Sequence, residues 1–345
     1  MKALYFNQYG GVDNLKFGEL PDPNRAAGEV LVRVDAAALN RLDLFVLEGW
    51  KGLELEMPHI GGADMAGTVI EADSDSQLKA GDRVVAMPGF ALKEDSFTKT
   101  GDDSLSSSYQ ILGESRPGVF CERVSLPENI LYKIPDDRAA TEACSQLLTG
   151  LTCWRMLKRQ APVKKGDVVL VVGTGGGVNS FAIQLAKSLG ATVIALASTE
   201  EKEEKALALG ASLAINYHAR PDWHKNVLRA TDGEGVDIVV DNVGAETFSK
   251  SIKSLKKGGS LVTVGNSSGP IVEIDNRYIF SKQIKLVGST MGGKEDFENL
   301  LSALRKNRFE PVIDSVLPLK EGKQAYQRLL EGGHLGKIVL SNQSS

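Results

Sequence analysis

The chain has 345 residues, 42% hydrophobic and 24% charged, with 40 Lys and Arg against 44 Asp and Glu for a formal charge of −4. That length exceeds one ordinary core and predicts two domains. The mild acidity gives no electrostatic reason to expect nucleic acid or an anionic membrane as partner. The opening MKALYFNQYG lacks the apolar stretch of a signal peptide, and no apolar run approaches the roughly 20 residues that span a bilayer. Three separated cysteines, Cys121, Cys144 and Cys153, read as reduced thiols of a cytoplasmic protein.

The first third reads as short strands and loops. In GEVLVRVDAAAL, Val30, Val32 and Val34 alternate with Leu31, Arg33 and Asp35, the period of a half-buried strand. AGTVIEA and GDRVVAM are further strands. The polar stretch from Pro88 to Pro117 is long for a plain connection, so it is expected to be a functional excursion or a mobile lobe.

The middle changes character. Near-continuous apolar strands are expected at Val168–Val172, Val193–Ala197, Leu213–Ile215, Val236–Asp241, Ser260–Gly265 and Ile284–Gly288. Helices are expected between most of them, at Ser180–Leu189, Thr199–Leu209, Asp222–Ala230 and Glu246–Leu255. Strands buried on both faces and separated by helices mean an α/β fold with a doubly wound parallel sheet. The closing VIDSVLPLKEGKQAYQRLLEGGHLGKIVL reads as strand, helix, strand, too little for a third domain. It is expected to complete the N-terminal β domain, which gives 1–136 with 291–345 as one domain and 137–290 as the other.

Within the parallel region, Gly173, Thr174, Gly175, Gly176, Gly177 and Val178 follow an apolar strand and open a helix. Glycine lets the backbone approach a pyrophosphate, whose charge meets the helix N-terminus, so a dinucleotide is expected here. An NAD site usually carries Asp or Glu at the end of the next strand, to accept the ribose hydroxyls. This chain has Ser198 and Thr199 there, and Lys202 one turn later. Hydroxyls and an ammonium suit a 2′-phosphate that a carboxylate would repel, so NADP(H) is favoured over NAD(H). The alternative is that Ser198 only caps the helix and Lys202 is a solvated residue.

Several stretches together resemble the medium-chain dehydrogenase/reductase superfamily, in the branch joining zinc-type alcohol dehydrogenases and quinone oxidoreductases. They are AALNRLDLFVLEG, PHIGGADMAGTV, GDRVVAMPG, YQILGESRPGVFCERV, LLTGLTCWRML, FAIQLAK after the glycine turn, INY, GSTMG and GKIVL. The resemblance covers essentially the whole chain. It implies a GroES-like catalytic domain built from both chain ends, a Rossmann domain between them and an active site in the cleft.

The metal positions depart from that pattern. Zinc-dependent members carry Cys where this chain has Asn40, a His-Glu pair where it has Ala63-Asp64, and the third ligand near Ser145, with Cys144 beside it. An amide and a methyl cannot replace a thiolate and an imidazole, so no catalytic zinc is expected. Leu42 also stands where the zinc enzymes have a proton-relay hydroxyl. The stretch matching the four-cysteine structural lobe has no Cys, so that lobe is expected to be retained without its metal and looser for it.

Without a Lewis acid, hydride from the nicotinamide needs an acceptor that spreads charge by conjugation. Quinones, enones, and activated aldehydes or ketones with Asn40 as oxyanion donor are therefore the expected small-molecule substrates. The resemblance puts Asn40 and Asp43 at polar positions facing the nicotinamide, although Asp43 could instead brace its loop, and Thr149 against the nicotinamide ring. Asp64 reads as structural rather than as a general acid. Tyr217 matches a tyrosine near the 2′-phosphate. Asn242, Val243, Gly265, Asn266 and Ser289 end strands along the cofactor crevice, and Lys337 is expected near the pyrophosphate or on a strand surface. The family commonly forms homodimers through Rossmann edge strands. Two alternatives stay open, a zinc-type alcohol dehydrogenase with unusual ligands and a non-catalytic NADPH- or RNA-binding protein resembling zeta-crystallin.

Overall fold

The computed structural model describes residues 1–306 and 309–342. The chain divides into two compact units, Met1–Leu148 with Gly293–Phe297 and Pro311–Ser345, and Thr149–Gly292 with Glu298–Glu310. No helix among the described residues is long and apolar enough to cross a membrane.

The first unit is organised by the strand Glu29–Ala38, whose Val30, Val32 and Val34 are buried as their alternation requires. It pairs antiparallel with Asp64–Glu71, with Arg123–Pro127 near its start and with Lys337–Ser341 at its end. The last of these runs parallel to Ile313–Pro318, from which the helix Gly322–Glu331 leads back to it. The C-terminal strand–helix–strand thus completes the N-terminal sheet, as the sequence leads one to expect.

Register decides what meets at the end of this sheet. Ala38 lies opposite both Asp64 and Val339, and Leu39 N donates to Ile338 O at 2.9 Å. Just past the end of this pairing, the Asn40 and Lys337 side chains meet. The turn before Asp64 is held by glycine. Gly62 has φ +97°, and a Cβ on Gly118 would collide with the Gly61 carbonyl, so the two backbones touch directly.

The Pro88–Pro117 segment carries a strand pair and its own side-chain hydrogen bonds. Gly89–Ala91 pairs with Tyr109–Ile111. Between them the Asp95 carboxylate accepts from Phe97 N (2.9 Å) and Thr98 N (3.0 Å), and the Ser106 and Ser108 hydroxyls bond each other at 2.9 Å. Here short polar side chains close their own turns.

The second unit is a six-stranded parallel sheet in the order Leu213–Asn216, Thr192–Ala197, Val168–Val172, Val236–Asp241, Leu255–Thr263, Lys285–Gly288. Its apolar strands pack under Trp223, Val227, Phe248 and Ile252 from the covering helices. The helices Gly177–Ser188, Glu200–Ala208 and Trp223–Ala230 lie close to expectation. The next, Phe248–Ser254, starts later than expected, because Thr247 turns its hydroxyl onto Asp241 at 2.8 Å instead of entering the helix. The strand after it starts at Leu255 rather than Ser260.

The two compact units divide at 148/149 and 292/293, near the expected domain limits of 136/137 and 290/291. Helix Ala140–Cys144 packs on the first unit's strands. Residues 298–310 belong to the second unit, where Phe309 meets Phe181 with ring centroids 4.8 Å apart and Gln184 pairs with the Glu310 backbone.

Candidate functional site

At the end of the first unit's sheet, three polar side chains close on one another. Lys337 Nζ donates to Asn40 Oδ1 at 2.5 Å and to Asp64 Oδ2 at 3.0 Å. An ammonium only donates, so the Asn40 carbonyl oxygen must face it and the amide nitrogen must face Asp64. Asn40 Nδ2 duly donates to Asp64 Oδ2 at 3.0 Å and, more weakly, to Ala38 O at 3.4 Å. The other carboxylate oxygen, Asp64 Oδ1, accepts from Leu148 N at 2.8 Å, where a negative charge meets the first turn of helix Leu147–Arg155. The Lys337 side chain is 5% exposed and that of Asp64 0%. Such a pair persists only because each charge has several partners.

This arrangement changes two expectations. Lys337 does not lie on a strand surface; its ammonium is drawn in between Asn40 and Asp64. The Asn40 amide N–H groups are already engaged, which leaves it poorly suited to serve as an oxyanion donor.

Asp43 sits one helical turn on, in Arg41–Glu48, with its Oδ2 accepting from Asn40 N at 2.7 Å. Burial pushes its carboxyl up to about 7, against the opposing pull of the Asn40 backbone bond and the Lys337 charge. This contact braces the start of the helix. Thr149 is buried and opens the second unit.

In the second unit, Gly173 has φ +93°, which its role as a tight turn requires. Gly176 has no side chain to cap the helix Gly177–Ser188, so the first-turn N–H groups, Val178 included, are presented as donors. Thr174 turns its hydroxyl onto Leu196 O at 2.9 Å and so ties the turn to the next strand. Asn242 links three strand ends. Its Nδ2 donates to Asn179 Oδ1 at 3.1 Å, its Oδ1 accepts from Val264 N at 2.9 Å, and Asn179 Nδ2 reaches Val172 O at 2.8 Å. The side chains of Thr174 and Asn242 thus help to hold the turn and the neighbouring strand ends in place. Val243 O is taken up by Ser268 N and Oγ at 2.7 and 2.8 Å. Beside Asn266, the Gly265 carbonyl accepts from Thr263 Oγ1 at 3.1 Å. Ser289 Oγ is shielded and has no hydrogen-bond partner among the described residues.

At the second strand's end, Thr199 caps the following helix by accepting from Lys202 N at 3.3 Å. The Lys202 ammonium has no ion pair among the described residues. Tyr217 N donates to Ala197 O at 3.0 Å, which holds that ring near the same strand end.

The sequence reading lacks Asp241 and gives Lys337 a different role. Asp241 is completely buried and accepts from Val243 N, Gly244 N, the Thr247 hydroxyl and the Ser251 hydroxyl. An acid ending an apolar strand, with hydroxyls six and ten residues later, is a visible signal of this. The role of Lys337 is marked only by a lysine at the head of the buried run KIVL.

Two family descriptions match successive parts of the chain, an alcohol dehydrogenase GroES-like domain over residues 26–136 and a zinc-binding dehydrogenase over residues 177–306. A zinc-type alcohol dehydrogenase-like protein of Schizosaccharomyces pombe is 31% identical, with 99% of each chain covered. The chain is a medium-chain dehydrogenase/reductase. An acryloyl-coenzyme A reductase of Sulfurisphaera tokodaii is likewise 31% identical over 99% of each chain. The crystal structure of an NAD-dependent alcohol dehydrogenase matches with a TM-score of 0.95 at 38% identity, covering 99% of this chain and 100% of that one.

One of the matched family descriptions names zinc binding, but the residues present here fit that metal poorly. Asn40, Ala63 and Ser145 offer no thiolate or imidazole. Cys144 is a buried thiol pushed well above its ordinary range, first by burial and then by Asp64. Among the described residues no group of three or more His, Cys, Asp or Glu could hold a metal ion.

Proposed function

We propose that this medium-chain dehydrogenase/reductase is a zinc-independent, NADP(H)-dependent reductase that delivers hydride to conjugated or otherwise activated carbonyl compounds, namely enones, quinones and activated aldehydes or ketones. The observation that carries the reading is the closed Asn40–Asp64–Lys337 cluster, which fills the metal-ligand positions of the zinc branch with hydrogen bonds. Simple alcohols and ketones lean on a Lewis acid. An acceptor whose developing charge spreads by conjugation needs less help. Acryloyl-coenzyme A, the substrate named for one relative, is by its chemistry such a conjugated thioester.

Support for the phosphorylated cofactor is the absence of an acid at Ser198 and Thr199, with the unpaired Lys202 ammonium and Tyr217 nearby. The acidic first turn, Glu200, Glu201 and Glu203, pulls the other way, as does the NAD-dependent name of the structural relative. The reading includes a cytoplasmic homodimer. The sheet's edge strand Lys285–Gly288, with Leu286 exposed, and the neighbouring Phe280 and Ile271 offer an apolar face for a second copy.

The test is titration with both cofactors, followed by turnover with an enone, a quinone and an aldehyde. NADPH is expected to bind at least tenfold tighter than NADH. Ser198→Asp should weaken NADPH by about 10- to 100-fold, or roughly 1.4–2.7 kcal/mol, while sparing NADH. Equal binding of the two cofactors in the wild type would overturn the NADP assignment, and no turnover of any acceptor would overturn the reductase.

A further inference from the structure

The buried cluster leaves one hydrogen-bond donor over. An ammonium carries three N–H bonds, and those of Lys337 that are accounted for go to Asn40 Oδ1 and Asp64 Oδ2. Neither partner has a donor to spare. Asn40 spends its amide hydrogens on Asp64 and Ala38 O and its backbone N–H on Asp43, and Leu148 N is taken by Asp64 Oδ1. Among the described residues the third N–H of Lys337 has no acceptor, although the side chain is 5% exposed. A charged donor this far from water and short of one partner carries a free-energy penalty. An oxygen atom brought by a ligand removes it.

We propose that Lys337 is a catalytic residue whose third N–H holds the substrate's carbonyl oxygen and stabilises the negative charge that collects there. The inference rests on the hydride-transfer reading above. A bound reduced nicotinamide would supply the hydride to the β-carbon of an enone and be oxidised in turn. The C=C electron pair would then move toward the carbonyl and leave an enolate oxygen, the charge that the Lys337 N–H meets. A proton from water then adds to the α-carbon. With an aldehyde, hydride adds to the carbonyl carbon and the alkoxide oxygen takes the proton. In both cases Lys337 keeps its own proton and gives only a hydrogen bond. Asp64 and Asn40 are positioning residues, since their bonds fix the ammonium and leave a single N–H to aim. A preorganised donor of this kind acts most strongly where water is excluded.

The test compares three variants of the full-length protein. Lys337→Met alone would strand a buried carboxylate, so it is combined with Asp64→Asn, whose amide can still accept from Leu148 N and donate to Asn40 Oδ1. Lys337→Arg keeps a charged donor, and Lys337→Gln keeps a neutral one. In the double variant, NADPH affinity and the denaturation midpoint are expected to stay near wild type while enone kcat falls about 10²- to 10³-fold. Lys337→Arg should retain at least tenfold more activity than the double variant, with Lys337→Gln between them. A double variant that binds NADPH and turns over within threefold of wild type overturns the proposal. Should it not fold, Lys337→Gln at wild-type kcat does the same. Wild-type protein without turnover instead removes the hydride-transfer reading itself, and this inference with it, so the two failures are told apart.

Discussion

Asp64→Ala is expected to lower stability by about 3–5 kcal/mol, because it leaves the Lys337 ammonium buried without its counter-charge. The same substitution takes the acceptor from Leu148 N and from Asn40 Nδ2, and an orphaned buried donor costs on the order of 1–3 kcal/mol more. Adding Lys337→Met to Asp64→Ala should recover much of the loss, since a buried ion pair replaced by apolar groups is often neutral. Denaturant midpoints of the wild type, the two single variants and the double variant measure this. A loss under about 1 kcal/mol in Asp64→Ala, or no recovery in the double variant, would show that the two charges are not coupled as described.

Asp241→Ala should be comparably severe, at about 3 kcal/mol or more. One carboxylate there satisfies two backbone N–H groups and two hydroxyls at the end of a central strand, and each orphaned donor costs about 1–3 kcal/mol. The turn it holds, Asn242 to Gly244, is where the proposed cofactor meets backbone, so NADPH affinity should fall with stability. Asp241→Asn, which keeps an acceptor oxygen, is expected to lose less than half as much. Thermal unfolding with and without NADPH separates the two effects, and an Asp241→Ala protein as stable as wild type would contradict the assignment.

The parallel half of the fold is legible because its information is local. Runs such as Val168–Val172 and Val236–Asp241 are buried on both faces, so their apolar composition announces them, and Gly173 and Gly176 mark the turn between strand and helix. The helix starting at Phe248 is misjudged by two residues for an equally local reason, since the Thr247 hydroxyl has a buried carboxylate to bond. The side-chain cluster of the first unit depends on register instead. Nothing around GKIVL says that Lys337 faces Asn40, because that pairing joins residues 297 apart through the ladder that sets Ala38 against Val339. The missing metal ligands can be read one residue at a time, whereas the lysine drawn in among their replacements cannot. The polar lobe shows the same limit. The absence of cysteine is plain in the sequence, but the Asp95 and serine bonds that close its turns depend on the folded backbone.

The central claim is that a cation belonging to the chain, rather than a bound metal, serves the end of this sheet. Metal analysis of purified, catalytically active protein, repeated after exhaustive chelation, tests it most directly. The account predicts well under 0.1 equivalent of zinc per chain (roughly the level of adventitious metal, where a structural or catalytic site holds a full ion) and unchanged NADPH-dependent turnover after chelation. A stoichiometric zinc ion, with activity lost on its removal and restored on its return, would contradict it.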